Sequence, residues 1–200
     1  MPFKIPLCEP WMYGNEHDYM RQCYETNALC TGPFIARFED AMAKYLGVQY
    51  AVAVSSGTAA LHLALLACGV GKGDLVMVND LTFIAPVNAI RYCGAEPVLV
   101  DAQGDWQIDV DKMWNWFRPK AYLPVSLLGG LPTLWAWPDG PIILDAAQGL
   151  GNTSLPEMLN KCHAAILSFN GNKLITAAGG GMVVTNDGYT AEGCRHWRNQ

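Results

Sequence analysis

The chain has 200 residues, 51% of them hydrophobic and 16% charged, with a formal net charge of −5. That is enough apolar content to bury the core of one ordinary domain, and it excludes a disordered chain. An acidic balance with no Lys/Arg run argues against nucleic acid as a partner. No apolar stretch approaches the roughly 18 residues of a membrane span, and the opening MPFKIPLCEPW lacks the apolar stretch of a secretion signal, so a cytoplasmic protein is expected.

In chain order, two helices are expected around 16–28 and 34–46. Together they form an N-terminal helical segment, residues 1–48, ahead of an α/β domain at 49–200. AVAV at 51–54 reads as the first strand. TAALHLALLACGV then reads as a helix, with Thr58 as its cap and Gly69 near its end. LVMV at 75–78 is the second strand, APVNAIRYCG a helix, PVLV at 97–100 the third strand, and DVDKMWNWF a further helix. AYLPV at 121–125, IIL at 142–144, AAILSF at 164–169 and MVVT at 182–185 complete a set of seven strands. GGLPTLWAWPDGP is a Pro/Gly-rich loop. The strand runs are apolar and unalternated, as in strands covered on both faces. Strands alternating with helices predict a three-layer αβα fold around a mostly parallel, doubly wound sheet of about seven strands.

Seven cysteines, an odd number without C-x-x-C spacing, and four scattered histidines suggest neither a disulfide framework nor a metal site. A Rossmann dinucleotide domain would fit the element order. It fails on motif, because no G-x-G-x-x-G follows the first strand.

In doubly wound sheets, ligands sit beyond the carboxyl ends of the strands. Four groups follow strands there. The turn SSGT opens a helix with free N–H groups and hydroxyls, suited to phosphate or to simple capping. Phe83, just past the second strand, is either a flat platform for a planar ligand or ordinary core. Asp145 ends an apolar strand, with Gln148 three residues on. It can cap a following helix or hold a cationic ring nitrogen. Ser168 ends another strand, and five residues later comes Lys173, the one charged side chain in SFNGNKLITAAGGGMVVT. Alone, that lysine reads equally as a plain loop residue.

Together, a phosphate-binding helix start, a flat aromatic, a strand-end carboxylate and an isolated lysine are what pyridoxal 5′-phosphate requires. The lysine bonds to its aldehyde, the carboxylate keeps the pyridine nitrogen protonated, and the freed amine moves the substrate proton. Desolvation lowers a lysine pKa and suits it to this work.

YLGVQYAVAVSSGTAALHLALLACGVGKGD, LTFIAPVNAIRYCGAEPVLVD, ILDAAQGLG and SFNGNKLIT resemble the DegT–StrS family of sugar-nucleotide aminotransferases, fold-type I pyridoxal phosphate enzymes, along nearly the whole chain. GNE near the start and SFNGNK are most similar to the branch that aminates 4-keto sugars on UDP. The resemblance implies that Lys173 is the catalytic lysine, Asp145 the partner of the ring nitrogen, Phe83 the stacking ring and Gln148 a contact on the ring's hydroxyl side. It implies that Thr58, Ala59 (through its N–H) and Ser168 hold the phosphate. Asn170 and Asn172 lie close by with no role assigned. A family dehydratase replaces the lysine with histidine, so Lys173 favours an aminotransferase.

The sequence departs from the family at Ser126, often histidine, and at Leu144, often acidic. The loop after Gly130 is short. Family members continue into a smaller C-terminal domain where this chain stops at RHWRNQ. The expectation is an aminotransferase, or its cofactor-binding half, acting on a nucleotide-linked keto sugar with glutamate as donor. The chain is expected to form a homodimer and to be a poor catalyst by itself. The alternative is a non-catalytic module that binds the cofactor or dimerises.

Overall fold

The computed structural model describes residues 8–29, 32–113, 118–133 and 139–199. Seven strands form in the expected places: β1 Tyr50–Val54, β2 Leu75–Asn79, β3 Glu96–Val100, β4 Ala121–Leu123, β5 Ile143–Asp145, β6 Ala164–Ser168 and β7 Gly181–Thr185. Two ladders, β1-β7-β6-β5 and β3-β2-β4, are joined by the parallel bridges Tyr122–Ile142 and Val125–Asp145. The result is one sheet in the order β1-β7-β6-β5-β4-β2-β3. β7 runs antiparallel to both of its neighbours, β1 and β6, and the other pairings are parallel. The mostly parallel αβα layering is therefore present.

Six helices are described: α1 Glu16–Glu25, α2 Pro33–Leu46, α3 Gly57–Ala67, α4 Ile84–Tyr92, α5 Leu155–Leu159 and α6 Gly188–Arg198. Successive strand side chains point to opposite faces, so β1, β5, β6 and β7 each feed two cores. On one face Val52, Ile143, Ile166 and Val183 pack with Leu61 and Leu65 of α3, Ile90 of α4 and Cys194 of α6. On the other, Ala51, Leu144, Leu167 and Val184 pack with Met42 and Leu46 of α2 and with Leu155 and Leu159 of α5. Burial on both faces explains why the strand runs carry no polar alternation.

Three local expectations change. The α3 cap is Ser56, whose Oγ accepts from the Ala59 N–H at 3.1 Å; Thr58 lies inside the first turn, because the helix already starts at Gly57. The helix expected over DVDKMWNWF is a 3₁₀ turn at Val110–Met113, with 114–117 outside the described residues. The strand expected to 125 ends at Leu123, since Pro124 lacks the N–H needed to continue a ladder. α5 and α6 were not anticipated. α6 announces itself through Asp187, whose carboxylate accepts from the N–H groups of Tyr189 and Thr190.

The candidate cofactor site

A cleft of about 400 Å³ opens beyond the carboxyl ends of β1, β2, β4, β5 and β6, where a doubly wound sheet places its ligands. Thr58, Phe83, Asp145, Gln148, Ser168 and Lys173 all line it. Six of the seven residues singled out from the sequence thus meet, although they are spread over more than a hundred positions. Ala59 does not line this cleft. Its N–H is taken by Ser56, and the residue faces a second concavity beside Ile35, His62 and Trp197.

One wall is the start of α3. Ser55, Ser56, Gly57 and Thr58 line the cleft and present hydroxyls and first-turn N–H groups, the positive end of the helix dipole. Ser168 closes on this wall from β6: a methyl group added to Gly57 would sit 3.1 Å from the Ser168 Cβ. The glycines after Lys173 explain the closeness. Ser56 bridges to Gly180, and a Cβ on Gly181 would lie well under 3.0 Å from the Ser56 carbonyl and the Gly57 nitrogen. Only a glycine lets β7 press so closely against the phosphate-type turn.

The floor is Asp145. Its carboxylate is buried, with 4% of the residue exposed, and accepts from the Ala147 N–H at 2.9 Å. Burial pushes its pKa up from 3.8 to about 6, against the Ala147 hydrogen bond and the Lys173 charge, which both lower it. No helix starts there: the residues after Asp145 form turns and α5 begins at Leu155. The reading of Asp145 as a helix cap is therefore set aside on geometry. A desolvated carboxylate in an open cleft is a functional signature, because folding gains nothing from it.

Lys173 is half-buried in the turn between β6 and β7, its N–H donating to the Asn170 carbonyl at 2.9 Å. The Asn170 amide donates to the Asn172 Oδ1 at 3.2 Å, and both side chains line the cleft. The lysine is thus a loop residue that also lines the cleft. Phe83 stands at the mouth, 70% exposed, and so is not core. Gln148 accepts from the Leu128 N–H at 2.6 Å, which fastens the 127–130 turn as the far wall. Ser126 is buried there, its hydroxyl donating to the Gly130 carbonyl.

Ser126 escaped the sequence reading as a lining residue, and Asn79 as a buried support behind the lining. Each is a polar residue at or just past a strand's carboxyl end, and that position was the available signal. No group of three or more His, Cys, Asp or Glu positioned for a metal occurs among the described residues, and none of their helices is long and apolar enough to cross a membrane.

The donor-rich helix start, buried carboxylate, exposed ring and half-buried lysine fit pyridoxal phosphate: the wall offers donors of the kind a phosphate needs, and the carboxylate an acceptor of the kind a protonated ring nitrogen needs. Comparison with known proteins agrees. The model of the DegT/DnrJ/EryC1/StrS aminotransferase family matches residues 11–200. GDP-perosamine synthase of Caulobacter vibrioides is 41% identical over 98% of this chain and 56% of its own length. EpsN of Bacillus subtilis, a putative pyridoxal phosphate-dependent aminotransferase, is 36% identical over 98% of this chain and 55% of its own. The B. subtilis NtdA structure with bound cofactor PMP superposes with a TM-score of 0.79 at 28% identity, covering 96% of this chain and 48% of that one. The chain thus spans about half the length of the curated relatives it matches. With fold, cleft and pattern in agreement, the chain belongs to the DegT/DnrJ/EryC1/StrS aminotransferase family.

Proposed function

We propose that this chain binds pyridoxal phosphate in the cleft and serves the transfer of an amino group, from glutamate, to a nucleotide-linked keto sugar. The observation that carries this reading is the meeting of Lys173 and the buried Asp145 in one cleft against the α3 helix start. Bound there, the cofactor supplies an electron sink for the carbon that carries the amino group.

The chain's own residues do the rest. The hydroxyls of Ser55, Ser56, Thr58 and Ser168, with the first-turn N–H groups of α3, bind the phosphate. Asp145, held in low dielectric, keeps the ring nitrogen protonated. Phe83 packs on the ring face, and Gln148 borders its hydroxyl side. Lys173 would hold the cofactor through Nζ; once the donor's amine takes its place there, the freed Nζ would take the proton from the donor's Cα and return it. The homodimer belongs to the same proposal. Leu81, Phe83, Ile84, Leu128, Leu174 and Ile175 are all exposed on the segments after β2, β4 and β6, Ile84 as the first residue of α4. An apolar rim of that kind favours cover by a second copy, which would also exclude water from the cleft.

Incubation with pyridoxal phosphate, borohydride reduction and peptide mass mapping test the assignment. The adduct is expected on Lys173 and is expected to vanish in Lys173→Ala with the far-UV spectrum unchanged. An adduct elsewhere, or none, would overturn it. Glutamate with GDP- and UDP-linked 4-keto sugars then tests the transfer. An adduct without any glutamate half-reaction would leave a cofactor-binding module in place of an enzyme.

A further inference from the structure

Asn79, the last residue of β2, is fully buried, and neither the motif reading nor the reaction uses it. Its Oδ1 accepts from the Val125 N–H at 2.9 Å, while its Nδ2 has no hydrogen-bond partner. The position explains the contact. β2 and β4 pair in parallel up to Val78–Leu123, and Pro124 then ends the ladder. One step further on, the Asn79 side chain replaces the main-chain bond that the two strands no longer make. Its target, Val125, lines the cleft and lies opposite Asp145. Main-chain bonds flank that pairing on both sides: the Asp145 N–H donates to the Pro124 carbonyl at 2.9 Å, and the Ser126 N–H donates to the Asp145 carbonyl at 2.9 Å.

We propose that Asn79 is a positioning residue for Asp145. Through the Val125 N–H it holds the 124–126 segment against the end of β5, and thereby fixes where the Asp145 carboxylate stands in the cleft. The unpartnered Nδ2 points the same way. Leucine would fill a similar volume without leaving a buried donor unsatisfied, so the amide is present for its oxygen. The inference deepens the proposed function, since Asp145 is there the partner of the ring nitrogen.

The test compares Asn79→Leu, which has no acceptor, with Asn79→Asp, which keeps one in nearly the same shape. The first readout is the ¹³C titration of the Asp145 carboxyl in the protein without cofactor, where Lys173 is the charged neighbour acting on it. Asn79→Leu loosens the segment and admits water, so the midpoint falls toward the ordinary carboxylate range by about one pH unit, a tenfold change in proton affinity. Asn79→Asp does not lower it, because it keeps the acceptor for the Val125 N–H and so the segment, and any negative charge it adds raises a neighbouring carboxyl's pKa. The second readout is the visible circular dichroism of the loaded protein, expected to weaken in Asn79→Leu and to persist in Asn79→Asp.

A leucine variant that melts earlier but keeps both readouts would show a merely structural residue and overturn the proposal. So would a loss shared equally by both variants. If Asn79→Leu does not fold, Asn79→Ser, too short to reach Val125, carries the same comparison. Failure of the parent chain to form the Lys173 adduct would sink the proposed function, while the titration without cofactor would still decide the role of Asn79.

Discussion

Asp145→Asn separates what the carboxylate does for function from what it costs the fold. Burial raises the Asp145 pKa from 3.8 to about 6, so the folded protein binds this proton more tightly than the unfolded chain does. Below about pH 3 the group is protonated in both states and costs nothing. As pH rises from about 3 to 6 the unfolded chain ionises first, and stability is lost; well above 6 the loss is complete. At about 1.4 kcal/mol per pKa unit, the difference amounts to about 3 kcal/mol at neutral pH. Asparagine keeps the oxygen that accepts from the Ala147 N–H and removes the charge. Without cofactor, Asp145→Asn is therefore expected to gain about 2–3 kcal/mol over the parent at pH 7.5, and almost nothing at about pH 3. Urea unfolding at the two pH values measures it. The same variant, loaded with cofactor, is expected to lose most amino transfer, because a neutral amide does not hold the ring nitrogen protonated. Equal stability of the two proteins at pH 7.5 would refute the reasoning that Asp145 is a desolvated charge kept for chemistry.

Other substitutions probe the frame around it. Gly181→Ala places a methyl group into the Ser56 carbonyl and Gly57 nitrogen, so a loss of about 3 kcal/mol or more, or insoluble protein, is expected; a melting temperature equal to the parent's would show that β7 can withdraw. Phe83→Ala removes an exposed ring and is expected to change stability by less than about 0.5 kcal/mol, while weakening pyridoxal phosphate binding severalfold in a spectroscopic titration. Glu39 accepts from the Ala53 N–H at 2.8 Å and from Arg198 at 2.6 Å in a mostly buried pair. Glu39→Ala leaves both donors without this acceptor and is expected to cost about 2–4 kcal/mol in chemical denaturation.

Strands, most helices and the family pattern were legible in the chain itself. Apolar runs such as AVAV and AAILSF can be satisfied only by cover on two faces, and that local constraint already implies the layered sheet. SSGT, ILDAAQ and SFNGNK are short, contiguous motifs; each is ambiguous alone, and their combination in chain order is what the sequence makes legible. What only the tertiary structure decided is long-range. The antiparallel placement of β7 follows from pairing with both β1 and β6, partners far apart in sequence. Ser56, not Thr58, caps α3, a two-residue shift set by where β1 ends and by the pressure of Gly180 and Gly181 on the turn. Nothing in IILD distinguishes a solvated carboxylate from a buried one; the raised pKa of Asp145 exists because the folded chain buries it at the floor of the cleft. The Asn79–Val125 bond spans 46 residues and has no sequence signature at all. Composition and periodicity report which surfaces must be buried, whereas the electrostatics of a site depend on which buried groups end up facing each other.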